Sequence, residues 1–446
     1  MMVDHRMTAP LAPRPRGRPL SAHSTIDSHL LLRARVVLPV SRPPIHDGAV
    51  LIAGRRIAAV GSWRELSSRS RKKTLDLGET VLMPGLVNAH CHLDYTDMAG
   101  HFPPPKVFTD WLKLITEAKA GWDYADYVKS WLNGARMLVR TGTTTVADME
   151  AVPEVLPEVR RRTPLRVYSF LEMIGIKGGR PPEAILREAV RQIEVLKPRR
   201  GGACLSPHAP YSTVPALLRL SAQTARRHQW RMATHLAESA LEFEMFTRGG
   251  GDMFDWIRRS GRDMSDCGRG SPVRHLERCG ALNGNLLAAH ANYLARGDAA
   301  LLARHRVHVV HCPRCHFYFQ HDPFPLRRLV KAGVNVCLGT DSLASVYKGR
   351  RQHVELNLFE EMRTLARREP RLSARRIVRM ATLNGARALG LAGQAGELAE
   401  GAFADLVAVP FAGKVADIHD GVLHHQGDVA ASMIDGRWAV TPRDAE

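Results

Sequence analysis

Five positions in this chain carry metal-binding or proton-carrying side chains in settings where they could act together. They are His90 and His92 in "NAHCHLDY", His235 in "ATHLAES", His290 in "LAAHANY" and Asp341 in "GTDS". Each stands at the end of a short run of β-branched and apolar residues, where a strand delivers a side chain to the edge of a sheet. His90 and His92 are two apart, and the period of two in a strand sends both to one face. Imidazoles with a carboxylate make a borderline donor set suited to zinc or ferrous iron, with a position left for a water that the ion acidifies. Glu238 follows His235 by three residues, close enough to take that water's proton and give it to a leaving group.

A second stretch, "HVVHCPRCHFYFQHD" from His308 to Asp322, reads at first like a metal or redox site because of its CxxC, Cys312 and Cys315, flanked by histidines. A structural zinc wants four ligands, usually two such pairs, and there is no second CxxC. Redox use normally comes with a thioredoxin-like βαβ context, which the surrounding sequence lacks. His311 ends a strand candidate, so the loop after it faces the same side as the other strand ends. Arg314, His316 and His321 are therefore expected to receive an anionic or hydroxylated part of a substrate.

These residues need a scaffold that gathers many strand ends at one place. Between "TVLMPGLVNAHCH" and "VNVCLGTDS", eight strand candidates alternate with amphipathic stretches such as "PEAILREAVRQIEVL" over some 300 residues. That is the arithmetic of a (β/α)8 barrel of TIM type, in which functional groups sit at the C-terminal ends of the strands. A doubly wound open sheet competes, but no GxGxxG follows an early strand. On either side lie strand-rich flanks with hairpin turns, Gly54 in one and Asp435-Gly436 in the other. The expected organisation is an α/β chain with a disordered extension over 1–28, a composite β-sandwich domain from 29–84 and 395–446, and a catalytic barrel over 85–394.

With 45% hydrophobic and 24% charged residues the chain has the composition of a globular protein, and no apolar run is long enough to span a membrane. The first residues contain Pro and Arg without an apolar core, unlike a secretory signal. The seven cysteines show no regular spacing and do not suggest a disulfide framework, so a cytoplasmic location is expected. The net charge of +19 raises nucleic acid or acidic membranes as partners, but the arginines are spread over helices without a basic block, so neither is expected.

"PGLVNAHCHLDYT", "TGTTTVADM", "SPHAPYS", "HLAES", "SPVRHLERCGAL", "AAHANYL" and "GTDSLAS" together resemble the amidohydrolase superfamily. The resemblance is to its mononuclear-metal deaminase branch, which includes cytosine, guanine, S-adenosylhomocysteine and aminodeoxyfutalosine deaminases and the triazine hydrolases, and it runs from about Leu30 to Val440. It implies one divalent metal per chain, zinc first and ferrous iron second, on His90, His92, His235 and Asp341. It further implies Glu238, His290 and Asp341 as catalytic residues, which moves His290 from the possible ligands to the proton carriers. The two-metal branch has a carboxylated lysine on the fourth strand, whereas "CLSPHAPYS" offers His208, which resembles a substrate-contacting histidine. Trp111 in "FTDWL" resembles a residue that covers the substrate, and Ser342, Arg314 and His316 complete the expected substrate contacts. Where Cys315 stands, relatives tend to have a small polar residue.

Two departures from the family pattern stand out. After Asp341 the chain reads "ASVYKGRRQHVELNLFEEMR", with Val346 in place of an asparagine and extra basic residues. The Gly-rich stretch from Thr247 to Arg269 is a candidate flexible lid. The implied activity is hydrolytic deamination of an amino-purine nucleoside or base, with aminodeoxyfutalosine first and S-adenosylhomocysteine, adenosine-like compounds or guanine next. A triazine chlorohydrolase or cyclic-amide hydrolase would use the same centre, and a silent scaffold is the remaining alternative. Relatives in this branch are often dimers or larger, so a homo-oligomer acting on a small molecule is expected.

Overall fold

The alternation read from the sequence closes into a ring. The computed structural model describes residues 29–442 except 69–72, 105–106, 177–179 and 197, so the extension expected over 1–28 lies outside the described residues. The first five strands are β1 (His29–Val37), β2 (Ile45–Ala53), β3 (Arg56–Ser62), β4 (Lys73–Asp76) and β5 (Thr80–Pro84). The barrel follows as β6 (Leu86–Cys91), β7 (Thr143–Glu150), β8 (Arg166–Met173), β9 (Gly202–Pro207), β10 (Met232–Leu236), β11 (Leu286–His290), β12 (His308–His311) and β13 (Asn335–Leu338). The last three strands are β14 (Leu406–Pro410), β15 (Ala431–Ile434) and β16 (Arg437–Val440).

β6 to β13 pair in sequence order, every neighbour parallel, with helices in the connections. The ring closes at its mouth, where the N–H groups of Thr340 and Asp341 donate to the His90 carbonyl at 3.0 and 3.1 Å. Asn88 reinforces the seam, its amide donating to Thr340 Oγ1 at 2.8 Å while its oxygen accepts the Thr340 N–H at 3.1 Å. Inside, Val87, Met149, Phe170, Ala233, Val310 and Cys337 pack with one another, while Val146, Val309 and Val336 belong to the larger core under the helices. This is the two-sided burial a parallel barrel requires.

The flanks form a single mixed sheet, ordered β16-β15-β14-β5-β1-β2-β3, with β4 also on β1. β5 is the joint between the termini, parallel to β1 on one edge and antiparallel to β14 on the other. The small β domain expected as a sandwich is one mixed sheet, on which Leu32, Val50, Ile57, Leu82, Leu406 and Met433 pack together. Both expected hairpin turns carry positive φ, at Gly54 in one and at Asp435 and Gly436 in the other. Arg166 at the start of β8 fastens the sheet to the barrel through a buried two-point pair with Asp405 at 2.8 and 3.1 Å.

The stretch from Thr247 to Arg269 differs from the expected flexible lid. Much of it is helical, within Ala240–Arg248 and Asp252–Arg259, and the turn that follows is anchored by Arg262. That side chain is fully buried, pairs with Asp266 at 2.7 Å and donates to the carbonyls of Pro210 and Thr213 at 3.2 and 3.4 Å. A charged group with that many partners holds the segment against the barrel instead of releasing it.

Candidate metal centre and active site

A local irregularity aims the first pair of histidines. Between Asn88 and Cys91 the pairing of β6 with β7 slips, three residues on β6 facing two on β7. Val87 and Ala89 face the barrel interior, but Cys91 packs in the outer core, so the parity has flipped between them. The bulge thus turns His90 and His92 to the mouth together. At the other strand ends Ala237, His290, Ala291 and Asp341 all have φ between 48° and 70°. Non-glycine residues rarely adopt that region, and such strain gathers where a side chain must be re-aimed.

The result is a tight set of buried donors. His92 Nε2 lies 3.3 Å from His235 Nε2, and Asp341 Oδ1 lies 3.7 and 3.6 Å from the Nε2 atoms of His90 and His92. His90, His92 and His235 each offer a ligand atom within 4.8 Å of the others, and so do Glu238, His290, Cys315 and Asp341. His90 Nε2 and His290 Nε2 are buried without a hydrogen-bond partner. Unpaired buried nitrogens and a carboxylate too far for good hydrogen bonds are costly, and a shared cation would satisfy them at once. His235 is fixed from behind, its Nδ1 donating to the His208 carbonyl at 2.8 Å, which leaves Nε2 as the ligand atom. The donor chemistry therefore fits a divalent ion on His90, His92, His235 and Asp341.

Protonation follows from the surroundings. Burial pushes His235 down to about 3, and His92 and His290 well below the usual imidazole range, so these rings are neutral and keep lone pairs. Burial alone would raise Asp341, but the ring of His90 beside it and the adjoining imidazoles hold it well below the usual carboxylate range. Glu238 goes the other way: burial, then the negative charges of Asp341 and Glu242, push it well above that range. Two carboxyl groups a short distance apart are thus kept in opposite states, one a base and one an acid.

Glu238 is clamped by its backbone. Glu242 accepts the N–H groups of Ala237 and Glu238 at 3.0 and 2.9 Å, and the Asn292 amide donates to the Glu238 carbonyl at 2.9 Å. Asn292 is oriented in turn by His316, whose Nδ1 lies 3.1 Å from its Oδ1. Glu238 Oε1 ends 3.6 Å from His290 Nε2.

The expected substrate contacts divide. His208 stands beside His235, ring centroids 4.7 Å apart, with Nδ1 2.6 Å from Ser212 Oγ. Trp111 packs on Phe108 and Phe319 at the mouth and donates from Nε1 to the Ala344 carbonyl at 3.3 Å, against the loop that follows Asp341. The Ser342 N–H donates to Asp341 Oδ1 at 2.9 Å, so its backbone steadies the carboxylate. His316 acts on Asn292, a step removed from the donors. Arg314 is held within the protein, its Nε pairing with buried Glu361 at 2.5 Å and its Nη1 donating to the Glu355 carbonyl at 3.0 Å, while its Nη2 is buried without a hydrogen-bond partner. A cavity of about 420 Å³ is lined by His311, His316, His321, Phe324 and Arg368 and by none of the four donors.

Three features escaped the sequence reading. Cys315 brings its thiol into the group with Glu238, His290 and Asp341, although the CxxC suggested a site of its own. Glu242 is the second half of "HLAESALE", and its spacing from Glu238 would have flagged it. A row of acids, Asp94, Asp148, Glu150 and Glu172, lines the ends of β6 to β8; only their common position at strand ends hints at it.

Comparison with known proteins yields the following. The model of the Amidohydrolase family matches residues 81–439. A 5-methylthioadenosine/S-adenosylhomocysteine deaminase of Syntrophobacter fumaroxidans is 32% identical over 421 residues, covering 89% of each chain. A zinc-bound adenosine deaminase structure from Xanthomonas campestris superposes with a TM-score of 0.79 at 25% identity over 93% of each chain. The aminofutalosine deaminase of Helicobacter pylori, in complex with methylthio-coformycin, shares the fold at a TM-score of 0.81, with 20% identity over 92% of this chain and all of its own.

Proposed function

The chain belongs to the amidohydrolase family, and from that premise we propose that it is a hydrolytic deaminase of adenosine-type nucleosides, converting the amine-bearing ring carbon to a carbonyl and releasing ammonia. The observation that carries this reading is the meeting, at one barrel mouth, of a four-donor centre with a further carboxyl group, Glu238, whose Oε1 lies 3.6 Å from His290 Nε2. The ion is zinc in this reading, with ferrous iron as the alternative. When bound, a divalent cation on His90, His92, His235 and Asp341 supplies a hydroxide nucleophile at neutral pH.

The protein's own groups do the rest. Asp341, kept ionised, receives the proton of the attacking water. Glu238, kept protonated by burial and by its acidic neighbours, gives its proton to the ring nitrogen beside the attacked carbon. As the carbonyl forms, the carboxylate left behind takes the adduct's hydroxyl proton and passes it to the departing amine, and the proton held by Asp341 restores Glu238. His290, neutral and with Nε2 unpaired, faces the same space and steadies the developing oxygen by hydrogen bonding. The clamp on the backbone of residues 237 and 238 fixes the acid at the height of the ring, and Trp111 with Phe108 and Phe319 gives an aromatic wall for a planar base.

Two lines of support favour an adenosine-type substrate. Relatives at this level of identity are named for 5-methylthioadenosine and S-adenosylhomocysteine, and the Arg314 charge, which could favour an anionic tail, is already balanced by Glu361. Ammonia release from adenosine, 5′-methylthioadenosine, S-adenosylhomocysteine and aminodeoxyfutalosine, with a chlorotriazine as control, tests the proposal. Turnover of one or more nucleosides is expected; chloride release with no ammonia would replace the deaminase by a halide hydrolase.

A further inference from the structure

Glu172 is a carboxylate at the mouth that nothing in the chemistry above uses. It lies near the end of β8, two residues after Phe170, which packs inside the barrel, so the strand period points Glu172 to the interior side one layer higher. Among the described residues no hydrogen bond or ion pair reaches it, and Oε1 is buried without a partner. One of its oxygens lies within 4.8 Å of ring nitrogens of both His208 and His235.

Its neighbours do not compensate it. Asp148 accepts the Leu93 N–H at 3.1 Å and the Trp131 Nε1–H at 2.9 Å, Glu150 accepts the Val152 N–H at 2.8 Å, and both oxygens of fully buried Asp94 lack partners. The ammonium of Lys119 is bonded to the Tyr95 hydroxyl instead. Burial drives Asp94 and Glu150 well above the usual carboxylate range, which makes them proton-bearing and structural. Glu172 differs from those two in being only half-buried.

A second cation would be one way to satisfy it, but the donors are wanting. His235 Nδ1 is bonded to the His208 carbonyl, its Nε2 faces His92, and His208 Nδ1 is bonded to Ser212, which leaves one imidazole nitrogen and one carboxylate. What remains is a ligand that brings hydrogen-bond donors. The acid and base of the reaction stand at the ends of β10 and β13, and β8 lies away from both in the ring, beyond His208. A base whose amine-bearing carbon faces Glu238 and Asp341 therefore turns its opposite side, where the sugar is attached, toward β8. Glu172 is too close to His208 and His235 to wait for the distal end of a long 5′ substituent.

We infer that Glu172 receives the hydroxyl hydrogens of the substrate's sugar and so makes the enzyme selective for ribonucleosides over their deoxy analogues. The inference rests on the nucleoside deaminase reading. It is tested by kcat/KM for adenosine and 2′,3′-dideoxyadenosine, measured on the metal-loaded wild type and on Glu172→Gln, with metal content and circular dichroism of both. A hydrogen bond to a charged group is worth about 10- to 100-fold, so the wild type should prefer adenosine by that factor. Glu172→Gln should narrow the preference to within about threefold, because the charged acceptor is gone. The inference is overturned by a wild type that treats the two nucleosides alike, a comparison that needs no variant, or by a preference that survives in a folded Glu172→Gln. Deamination of neither nucleoside, nor of any other in the panel, would overturn the deaminase reading, and this inference with it.

Discussion

Two histidine-rich strand ends face the same mouth and have opposite fates. At β10 and β11, His290 Nε2 is buried with no hydrogen-bond partner, and the backbone of Ala237, His290 and Ala291 is forced into positive φ. After β12, Arg314 is bonded to Glu361, His316 to Asn292 and His321 Nδ1 to the Tyr293 hydroxyl at 3.3 Å. Both thiols of the CxxC are buried, and burial pushes them well above the usual thiol range, which makes poor nucleophiles. Composition alone would rank the second segment as the richer in chemistry. What separates them is convergence: His235, Glu238 and His290 stand in tight groups with His90, His92 and Asp341, whereas Arg314 and His316 are spent on Glu361 and Asn292, and the unpartnered His311 Nδ1, Arg314 Nη2 and His321 Nε2 belong to no such group among the described residues.

That contrast can be broken most sharply at Glu238. Glu238→Gln removes the proton carrier but not a proposed ligand, so kcat should fall by about 10³-fold with metal content retained; an active variant would move the acid elsewhere. Arg314→Met should leave a buried, uncompensated Glu361 and lower unfolding stability by about 3–5 kcal/mol in urea titrations, with KM little changed. A raised KM at unaltered stability would instead return Arg314 to the substrate. Asn292→Ala releases the carbonyl side of the Glu238 clamp and should lower kcat by about 10- to 100-fold while KM moves little, since a misplaced acid costs rate more than binding.

A smaller effect concerns pH. Burial raises Asp148, Glu242 and Glu361 to about 7 each, against about 4 in an unfolded chain. Between those values these three groups bind more protons in the folded state than in the unfolded one, so the stability they contribute falls as pH rises from about 4 to about 7. Because the buried neutral histidines act in the opposite sense, the acid's share is read by difference: from about pH 4 to about pH 7 the Tm of metal-free Asp148→Asn should rise more, or fall less, than that of the wild type, and parallel pH profiles would refute the assignment. Smallest of all, Cys312→Ala should cost about 1 kcal/mol of stability at most.

The barrel was legible because its alternation of short apolar runs with amphipathic stretches is periodic, and the donors were legible because they stand at the ends of those runs. Directions were not. Nothing in "NAHCHLDY" announces the bulge that turns His90 and His92 together, since a register slip depends on the neighbouring strand. Arg314 looked free because its partner Glu361 lies 47 residues on. The stretch around Arg262 looked mobile because its glycines are local, whereas the carbonyls of Pro210 and Thr213 that anchor it are about 50 residues earlier. Cys315 was read as half of a CxxC, yet its nearest chemistry belongs to other strands.

The central claim is that the unsatisfied donors, and not the cysteine-rich loop, hold the ion. Metal per chain, measured by mass spectrometry on wild type, His235→Ala and Cys312→Ala purified side by side, tests it directly. The account predicts one ion in the wild type and in Cys312→Ala, and close to none in His235→Ala. Full metal in His235→Ala, or its loss from a folded Cys312→Ala, would contradict it.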